Sequence, residues 1–435
     1  MREMKDSGIE WIGNVPKDWE IVRIKEKYPF NTGFTPDTQQ SNYYNDENGY
    51  EWATIADIVG GKVNTPTKSL VSRSFIEQYH KEIIKPNSLL YSFKLSVGQT
   101  AITDRPMYTN EALASFEQTS ENNIGFLKYS SLLIEYNANT NIYGAKILNQ
   151  QLIKNAYVTF PNLQEQCRIA DFLDEKCGEI DSLTKDIQEQ IETLEEYKKS
   201  VITEAVTKGL DPNVEMKDSG IEWIGKIARD ANVFRLKFFS YMKGRIGWQG
   251  LKASDFIDEG PYCVTGTDFI NGKVNWESCY HVSEERYSMD SNIHIKEGDL
   301  LMTKDGTIGK LAVVDKLPGK ACLNSHLLII RPLQNKYKNK YLYYIMKSHL
   351  FSKYYTIVST GSIMDSLSQE KTGNFAIPIF SAEKQQQIIS YLDSKCSEID
   401  AIIQNKKEQL DVLAEYKKSL IYEYVTGKKE VPVND

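Results

Sequence analysis

The segment MKDSGIEWIG occupies residues 4–13 and recurs without change at residues 216–225. An identity of ten residues that includes two glycines and a tryptophan does not arise by chance in a chain of 435 residues. The repeat therefore indicates an internal duplication, and its extent can be followed by aligning the chain with itself.

The duplication extends through both halves of the chain. LLYSFKLSVGQTAI at 89–102 aligns with LLMTKDGTIGKLAV at 300–313, an offset of 211 positions. FLDEKCGEID at 172–181 aligns with YLDSKCSEID at 391–400, where the offset is 219. Loops of different length in two copies of one fold account for the change of offset.

Each half begins with short strands and ends with one long helix. The first region, at 14–160 and 226–378, is rich in Tyr, Val, Ile and Thr and contains Gly-rich turns. The second, at 162–207 and 381–426, has no proline, almost no glycine, and many Glu, Lys, Gln and Leu, which favours a helix. We predict an α/β (α+β) protein with two copies of this arrangement.

Apolar residues spaced three and four apart along both helices predict a coiled-coil seam. The predicted seam, which Lys406 interrupts, consists of Ile180, Leu183, Ile187, Leu194, Tyr197, Val201, Ile399, Ile402, Leu413, Tyr416 and Leu420. A buried core helix is the alternative, but such helices usually have three or four turns, whereas each of these would span roughly 60 Å. We therefore expect an antiparallel coiled coil with pseudo-two-fold symmetry, forming a rod with a globular module near each end.

Four segments follow from this organisation. They are a first module at 1–160 with a lead-in at 1–19, a central helix and linker at 161–215, a second module at 216–378 with the repeated lead-in at 216–225, and a C-terminal helix at 379–435.

Charge is distributed unevenly along the chain. The formal net charge is −7 and the sequence pI is about 5.5. Residues 161–231 hold 9 Lys and Arg against 17 Asp and Glu, whereas 232–378 hold 19 against 14. Residues 20–160 are nearly neutral, at 13 against 14. The acidity argues weakly against nucleic acid, but only a contacting face must be basic, so a more basic partner would supply much of the phosphate neutralisation.

The sequence contains no pattern of a known catalytic site. Dinucleotide, phosphate-loop, zinc-protease and nucleophile-elbow motifs are absent, and the five histidines are dispersed. The six cysteines are scattered, which predicts reduced thiols with no disulfide framework or zinc site. No long apolar run and no secretory signal occur, so we expect a cytoplasmic protein.

Several sequence segments of the chain resemble segments of one protein family. FPNLQEQCRIADFLDEKCGEID at 160–181 is similar to the P-L-x-E-Q-x-x-I-A-x-F-L-D signature that opens the long helix of type I restriction-modification specificity subunits. SGIEWIGNVPKDWE at 7–20 resembles their N-terminal segment, and GTDFINGKVN and LLMTKDGTIGK resemble phrases of their target recognition domains. The second half departs from the family pattern at two places. Residues 224–236 lack the P-x-x-W of the first half, and residues 380–389 lack the Pro and Ala of the helix-opening signature.

The resemblance implies a DNA sequence-specificity subunit that performs no catalysis and binds no cofactor or metal. Each target recognition domain would read one half of a bipartite double-stranded DNA sequence, while the coiled coil sets the spacer and docks two modification (methyltransferase) subunits. Those subunits would bring S-adenosylmethionine and flip the target adenine, and restriction (motor-nuclease) subunits would use ATP and Mg²⁺ to cut unmodified foreign DNA.

Polar and basic residues in glycine-containing loops are the candidate DNA contacts. Arg and Gln can make bidentate contacts with guanine and adenine, while Lys and Thr more often hold phosphate. The candidates are Thr35, Gln39, Gln40, Ser92, Lys94 and Gln99 in the first half, and Lys243, Arg245, Trp248, Gln249, Lys252, Thr303, Lys304, Thr307 and Lys310 in the second. The alternative for each residue is a solvated surface hairpin. Trp52 and Trp276 are predicted to be core residues.

Two other classes of protein stay open at this point. A coiled-coil scaffold that binds only proteins would share the rod but would not need two modules with basic loops. A single-chain nuclease or methyltransferase would need a catalytic constellation. DNA binding by the purified chain, alone and with a modification subunit, separates these possibilities.

Overall fold

The computed structural model describes residues 2–44, 47–94, 96–140, 146–245, 251–359 and 367–432. The chain divides into two compact units, and both boundaries fall inside long helices. Unit 1 comprises residues 1–187 and 408–435, and unit 2 comprises residues 188–407. The duplication predicted from the sequence therefore has a counterpart in two separately packed bodies.

The elements of the first half follow in chain order. They are β1 Met4–Asp6, β2 Asn14–Pro16, β3 Glu20–Arg23, α1 Ile24–Lys27, β4 Phe30–Thr32, β5 Tyr50–Ala53, β6 Ile58–Val59, β7 Lys62–Val63, β8 Leu70–Val71, α2 Arg73–Tyr79, β9 Leu89–Ser92, β10 Thr100–Ile102, β11 Tyr108–Thr109, β12 Leu113–Phe116, α3 Ile124–Ser130, β13 Asn139–Thr140, β14 Lys146–Ile147, α4 Gln150–Lys154, β15 Tyr157–Phe160 and α5 Leu163–Lys208.

The second half repeats much of this order. Its elements are β16 Met216–Asp218, β17 Lys226–Ala228, β18 Asn232–Arg235, β19 Ser240–Lys243, β20 Phe256–Val264, β21 Phe269–Ile270, β22 Lys273–Val274, β23 Tyr280–Val282, α6 Glu284–Ser288, β24 Leu300–Thr303, β25 Leu311–Val313, β26 Ala321–Leu323, β27 Leu327–Pro332, α7 Asn339–Lys347, α8 His349–Ser359, α9 Gln369–Asn374, β28 Ala376–Ile379 and α10 Ala382–Val425. None of the helices described is long and apolar enough to cross a membrane.

Both modules have the same sheet topology. An antiparallel four-stranded sheet has the order β10-β9-β12-β4 in unit 1 and β25-β24-β27-β19 in unit 2. A second sheet contains one parallel pair in each unit, β11 with β5 and β26 with β20. A two-stranded sheet, β3 with β15 or β18 with β28, closes each module immediately before its long helix. The prediction of a duplicated mixed α/β fold is confirmed.

The repeated decapeptide forms the first strand and the turn of a hairpin, and the turn depends on several of its residues. In unit 1 the Asp6 carboxylate accepts the amide of Gly8 (3.0 Å), and the Ser7 hydroxyl accepts the amide of Ile9 (3.1 Å). Gly8 and Gly13 have φ values of +73° and +68°, which favour glycine. Unit 2 has both hydrogen bonds 212 positions later. The local geometry of this turn therefore explains much of the identity.

The first part of α5 belongs to the core of unit 1. Ile169, Leu173 and Ile180 are buried in one hydrophobic cluster with sheet residues such as Leu89 and Phe116. In unit 2 the first part of α10 has the equivalent role. Ile388, Leu392 and Cys396 are buried in a cluster with residues of β24, β27 and α7. Each module is thus packed directly on the beginning of the helix that follows it.

The long helices are in contact and run antiparallel. In unit 1 the Phe172 and Tyr424 rings lie 4.5 Å apart, and Lys417 forms a 2.5 Å ion pair with Asp181. Residue numbers thus rise along α5 as they fall along α10. In unit 2 the ion pair between Lys198 and Asp400 is also 2.5 Å long, and its two residues are the counterparts of Lys417 and Asp181 at the offset of 219. The predicted antiparallel coiled coil is confirmed.

Four of the predicted seam residues were assigned to the wrong face of the coiled coil. Ile180, Ile187, Ile399 and Leu420 are buried, and Leu194, Val201 and Leu413 are half-buried. In contrast, Leu183, Tyr197, Ile402 and Tyr416 are 48%, 56%, 48% and 56% exposed.

The physical reason is a shift of one position along the helix. One residue turns the side chain by about 100°, and the neighbouring Lys198, Ile403 and Lys417 lie nearer the partner helix. The stems of the two lysines are partly covered while their ammonium groups reach carboxylates of the opposite helix. Ile191 and Ile403, both buried, were missed although each lies four residues after a predicted seam residue.

Candidate nucleic-acid interface

A hydroxyl group closes the turn between β9 and β10 in unit 1. Ser92 is fully buried, its hydroxyl donates to the carbonyl of Ser96, and it accepts the amide of Gln99 (3.1 Å). The side chains of Lys94 and Gln99 are exposed at this turn. Ser92 was predicted as a DNA contact, and this is wrong for the observed structure, because its hydroxyl is used inside the turn.

Unit 2 closes the equivalent turn in the same way. The Thr303 hydroxyl donates to the carbonyl of Thr307 (2.5 Å) and accepts the amide of Lys310 (2.9 Å). All three residues lie 211 positions after their counterparts in unit 1. Thr303 is only 4% exposed, so it too is corrected from a DNA contact to a turn-closing residue. Thr307 and Lys310 are exposed and keep their places as candidates.

A carboxylate that the sequence analysis did not select joins two predicted loops in unit 1. The Thr35 hydroxyl donates to Glu111, and the Lys94 ammonium group lies 3.2 Å from the same carboxylate. The loop of Thr35 can come this close because Gly33 has no side chain: a Cβ there would lie 2.1 Å from the carbonyl oxygen of Thr109. Glu111 gave no signal in the sequence, because its partners are 17 and 76 residues away.

The remaining candidates of the first half lie on the surface near Thr35. Gln39 and Gln40 are exposed just before a short 3₁₀ turn at Ser41–Tyr43. The backbone amides of both glutamines bond to Asp37. Their side chains therefore belong to an ordered loop and remain candidates for contact with DNA.

The two predicted loops of unit 2 also come together. A Cβ on Gly244 would lie 3.5 Å from Cε of Lys304, so the segment 243–245 runs beside the β24–β25 turn. The Lys304 amide donates to the carbonyl of His326 (2.9 Å). Asp305 lies 3.6 Å from both the Lys304 ammonium group and Nδ1 of His326. His326 and Asp305 were not predicted as site residues, because Asp305 is acidic and His326 lies 21 residues away from it in the chain.

Arg245 is buried and not poised to contact a base. It is 3% exposed, its Nε donates to the carbonyl of Leu323 (2.9 Å), and a terminal nitrogen donates to Sγ of Cys322 (3.4 Å). The thiol of Cys263 lowers the pKa of Cys322 through a hydrogen bond, and the charge of Arg245 acts in the same direction. The prediction that Arg245 reads a guanine is therefore wrong for this structure, since the guanidinium braces the β20–β26 edge.

Four other candidates of the second half lie in or near the segment 243–252. Lys243 is half-buried at the end of β19, and Lys252 is exposed with its amide bonded to Asp255 (2.7 Å). Trp248 and Gln249 lie outside the described residues.

The predicted core position of Trp52 is confirmed, because this residue is 7% exposed and its Nε1 donates to the carbonyl of Phe34 (3.0 Å). Trp276 is partly buried against the core of unit 2.

The chemistry of these surfaces suits hydrogen bonding to nucleic acid. Each unit has exposed polar groups on a turn that a buried hydroxyl holds closed: the ammonium group of Lys94 and the amide of Gln99 in unit 1, and the hydroxyl of Thr307 and the ammonium group of Lys310 in unit 2. Such groups can donate to phosphate oxygens and to base edges. Among the described residues no cluster of three or more His, Cys, Asp or Glu could hold a metal ion, and all six cysteines are free thiols.

Comparison with known proteins agrees with the duplicated architecture. The family model of the type I restriction modification DNA specificity domain matches residues 16–193 and 248–412, which is more than half of the chain. The MjaVIII specificity subunit of Methanocaldococcus jannaschii is 24% identical over 428 residues, covering 96% of this chain and 94% of the relative. The EcoBI specificity subunit of Escherichia coli is 19% identical over 418 residues, covering 92% and 84%.

The fold also resembles a solved structure. A chain from a structural study of complex assembly and conformational transition in the type I R-M system superposes with a TM-score of 0.69 at 16% identity, covering 95% of this chain and 99% of that chain. The two matched ranges correspond to the two halves of the duplication, and each ends inside a long helix, α5 or α10. The chain therefore belongs to the family of type I restriction-modification DNA specificity subunits.

Proposed function

We propose that each unit reads one half of a bipartite DNA target and that the chain performs no catalysis itself. The observation that carries this proposal is the pair of equivalent turns closed by Ser92 and Thr303. The same scaffold presents Lys94 and Gln99 in unit 1 but Thr307 and Lys310 in unit 2. A constant scaffold with different exposed side chains is what two readers of different half-sites require.

The two units are proposed to differ in how they recognise DNA. In unit 1 the charge of Lys94 is offset by Glu111, which leaves Gln99 and the Gln39–Gln40 loop as the main polar groups. A glutamine amide can contact adenine with two hydrogen bonds. Unit 2 exposes Lys252 and Lys310 instead, and these residues suit phosphate contacts.

We further propose that the paired long helices set the spacer between the half-sites and dock two modification subunits. These partners would supply S-adenosylmethionine, and restriction subunits using ATP and Mg²⁺ would join the assembly. Two docking sites require two equivalent surfaces on this chain. Exposed apolar residues on the coiled coil provide them.

The first of these surfaces lies in unit 1. Leu183 and Tyr416 are 48% and 56% exposed, and both lie on the same side of the ion pair between Asp181 and Lys417 along the helix axes, because the helices are antiparallel. Exposed tyrosine is enriched in the centre of protein interfaces, where it often contributes much of the binding energy. We name Leu183 and Tyr416 the unit 1 docking pair.

The second surface is its counterpart in unit 2. Ile402 and Tyr197 are 48% and 56% exposed, and both lie on the same side of the ion pair between Asp400 and Lys198. Ile402 lies 219 positions after Leu183, and Tyr197 lies 219 positions before Tyr416. Ile402 and Tyr197 form the unit 2 docking pair, so two copies of one partner could bind in the same way.

The proposed function predicts that DNA binding depends on the partner subunits. At −7 net charge the chain alone should bind DNA weakly and with little sequence preference. With two modification subunits, affinity for the specific duplex should rise at least about 1,000-fold, the lower end of the usual margin between specific and non-specific binding. Fluorescence anisotropy at physiological salt, with specific and scrambled duplexes, measures both states.

The control for this experiment is the modification subunit without the chain, which should show no preference between the two duplexes. Nanomolar binding of one duplex by the chain alone would contradict the partner dependence. A protein-only scaffold would be indicated if the complete assembly bound both duplexes equally.

A second prediction concerns the docking pairs. Tyr416→Glu should remove one modification subunit from the assembly and leave the other, because the unit 2 docking pair is intact. Central interface tyrosines often contribute about 2 kcal/mol or more, so affinity at the altered site should fall roughly 30-fold. Native mass spectrometry of the complex gives the stoichiometry.

Lys418→Glu is the matched control, since this exposed residue lies about 200° around α10 from Tyr416. Tyr197→Glu should give the same loss through the other pair, and the double variant should bind neither subunit. Retention of two subunits by the double variant would place docking on another surface.

A further inference from the structure

Two buried glutamines join the recognition modules to the long helices. Gln166 near the start of α5 is 0% exposed, and Gln385 near the start of α10 is 1% exposed. We infer that they are positioning residues, each of which holds its module on its helix in one orientation and so fixes the frame in which that module reads DNA. The positioning role rests on the proposed function, whereas the contacts do not.

Gln166 connects three separate segments of unit 1. Its Oε1 accepts the backbone amide of Asn123 (2.8 Å) at the start of α3. Its Nε2 donates to the carbonyl of Pro161 (2.8 Å), between β15 and α5, and to the carbonyl of Glu121 (3.3 Å). One side chain therefore ties the module's short helix, the strand-to-helix linker and α5 together.

Gln385 makes the same three contacts in unit 2. Its Oε1 accepts the backbone amide of Lys338 (2.9 Å) at the start of α7. Its Nε2 donates to the carbonyls of Phe380 (2.9 Å) and Lys336 (3.2 Å). The junction thus occurs twice in one chain, in units packed separately from each other, which makes an accidental arrangement untenable.

The residue type is dictated by the groups that it meets. A primary amide offers one acceptor oxygen and two N–H donors, and each has a backbone partner here. Glutamate has no N–H to donate, and leucine would leave one amide and two carbonyls without this partner in a buried place.

All six contacts are made to backbone atoms, so they do not depend on the module's side chains. The residues in contact differ completely between the units, with Asn123, Pro161 and Glu121 in one and Lys338, Phe380 and Lys336 in the other. A glutamine that bonds only to backbone atoms can hold modules of different sequence on one type of helix. This explains why a glutamine in the helix-opening segment can serve two diverged readers.

A second point of attachment lies eight residues further along each helix. The Tyr129 hydroxyl of α3 donates to Asp174 of α5 (2.6 Å), and the Tyr344 hydroxyl of α7 donates to Asp393 of α10. Two attachments separated along the helix axis restrain rotation of the module as well as its distance. Loosening the first attachment should therefore let the module tilt without unfolding it.

The test compares Gln166→Leu and Gln385→Leu in the full chain. Gln164→Leu and Gln387→Leu are matched controls, because both residues are exposed on the same helices. Hydrogen exchange of the free chain is measured first. We expect at least tenfold faster exchange of the Asn123 amide in Gln166→Leu and of the Lys338 amide in Gln385→Leu, each confined to its own unit.

The second measurement uses the complex with the modification subunits. Methylation rates are compared on duplexes whose spacer is correct, one base pair shorter or one base pair longer. We expect the preference for the correct spacer to fall at least tenfold in both leucine variants, with the half-site sequences unchanged. Tyr129→Phe and Tyr344→Phe, which keep the ring, should produce the same change in smaller degree and serve if a leucine variant does not fold.

Unchanged exchange at the junction would overturn the inference. Faster exchange together with an equal loss of methylation on all three spacers would also overturn the inference, because a residue with a purely structural role would give that result. A wild-type complex without any spacer preference would overturn both the proposed function and the positioning role. The exchange result would still show that Gln166 and Gln385 hold the modules on the helices.

Discussion

Replacing residues 20–160 by the equivalent module of a relative with a different target is expected to change one half of the methylated motif completely and leave the other half intact. The reason is that the exposed groups of unit 1, on the Thr35 loop and the β9–β10 turn, are held by contacts within that module. The exchanged range, 20–160, contains both β3 and β15, which pair with each other over Glu20–Arg23 and Tyr157–Phe160.

The measurement is methylome sequencing of cells that carry the hybrid and its modification subunit. Reinsertion of the original module into the hybrid is the control and should restore the first motif. Gln166 stays in the recipient helix and accepts a backbone amide, so this contact does not depend on the side chain that the new module has at position 123. A change in both half-sites would refute the model of two independent readers.

Lengthening both long helices together is expected to abolish methylation of the original motif and create one with a longer spacer. Duplicating residues 188–191 in α5 and 407–410 in α10 adds four residues at positions that are counterparts at the offset of 219. Each helix grows by about 6 Å and turns by about 40° beyond a full turn. The spacer should increase by one or two base pairs, since duplex DNA rises about 3.4 Å per base pair.

The insertion must be matched because the helices are antiparallel. A four-residue insertion in α5 alone would displace the contacts of Lys198 with Asp400 and the packing of Ile202 in unit 2. That single insertion is the control, and we expect it to lose activity without creating a new motif. Some loss of stability is expected in the matched variant, since four residues disturb the seven-residue repeat. An active matched variant with an unchanged spacer would mean that the partners or DNA bending set the distance.

The sequence was sufficient for the long helices but not for their faces. The predicted ranges 162–207 and 381–426 differ by one residue at each end from Leu163–Lys208 and Ala382–Val425. Helix formation depends on local propensity and the absence of proline and glycine, which a sequence displays directly. Which side of the helix is buried depends on the partner helix, and this is why Tyr197 and Tyr416 were placed in the seam but are exposed.

The candidate DNA contacts show the same division. Glycines and polar residues selected loops that the structure brings together in unit 1, since the Thr35 loop and the β9–β10 turn meet at Glu111; their contact with DNA stays a prediction. Individual side chains were selected less well, because Ser92, Thr303 and Arg245 have the polarity of contact residues but bond to atoms of their own unit. Composition cannot distinguish a polar group that faces solvent from one that closes a turn.

By itself the sequence determined the duplication, the order of modules and helices, and the family, because each of these is written in local patterns and repeats. Only the tertiary structure decided which residues face outward and how each module is held on its helix. Gln166 belongs to a recognisable segment, yet its function depends on backbone groups as far as 45 residues away in the chain. Such contacts are made to atoms that every residue possesses, so they leave no trace in the identity of the partner residues.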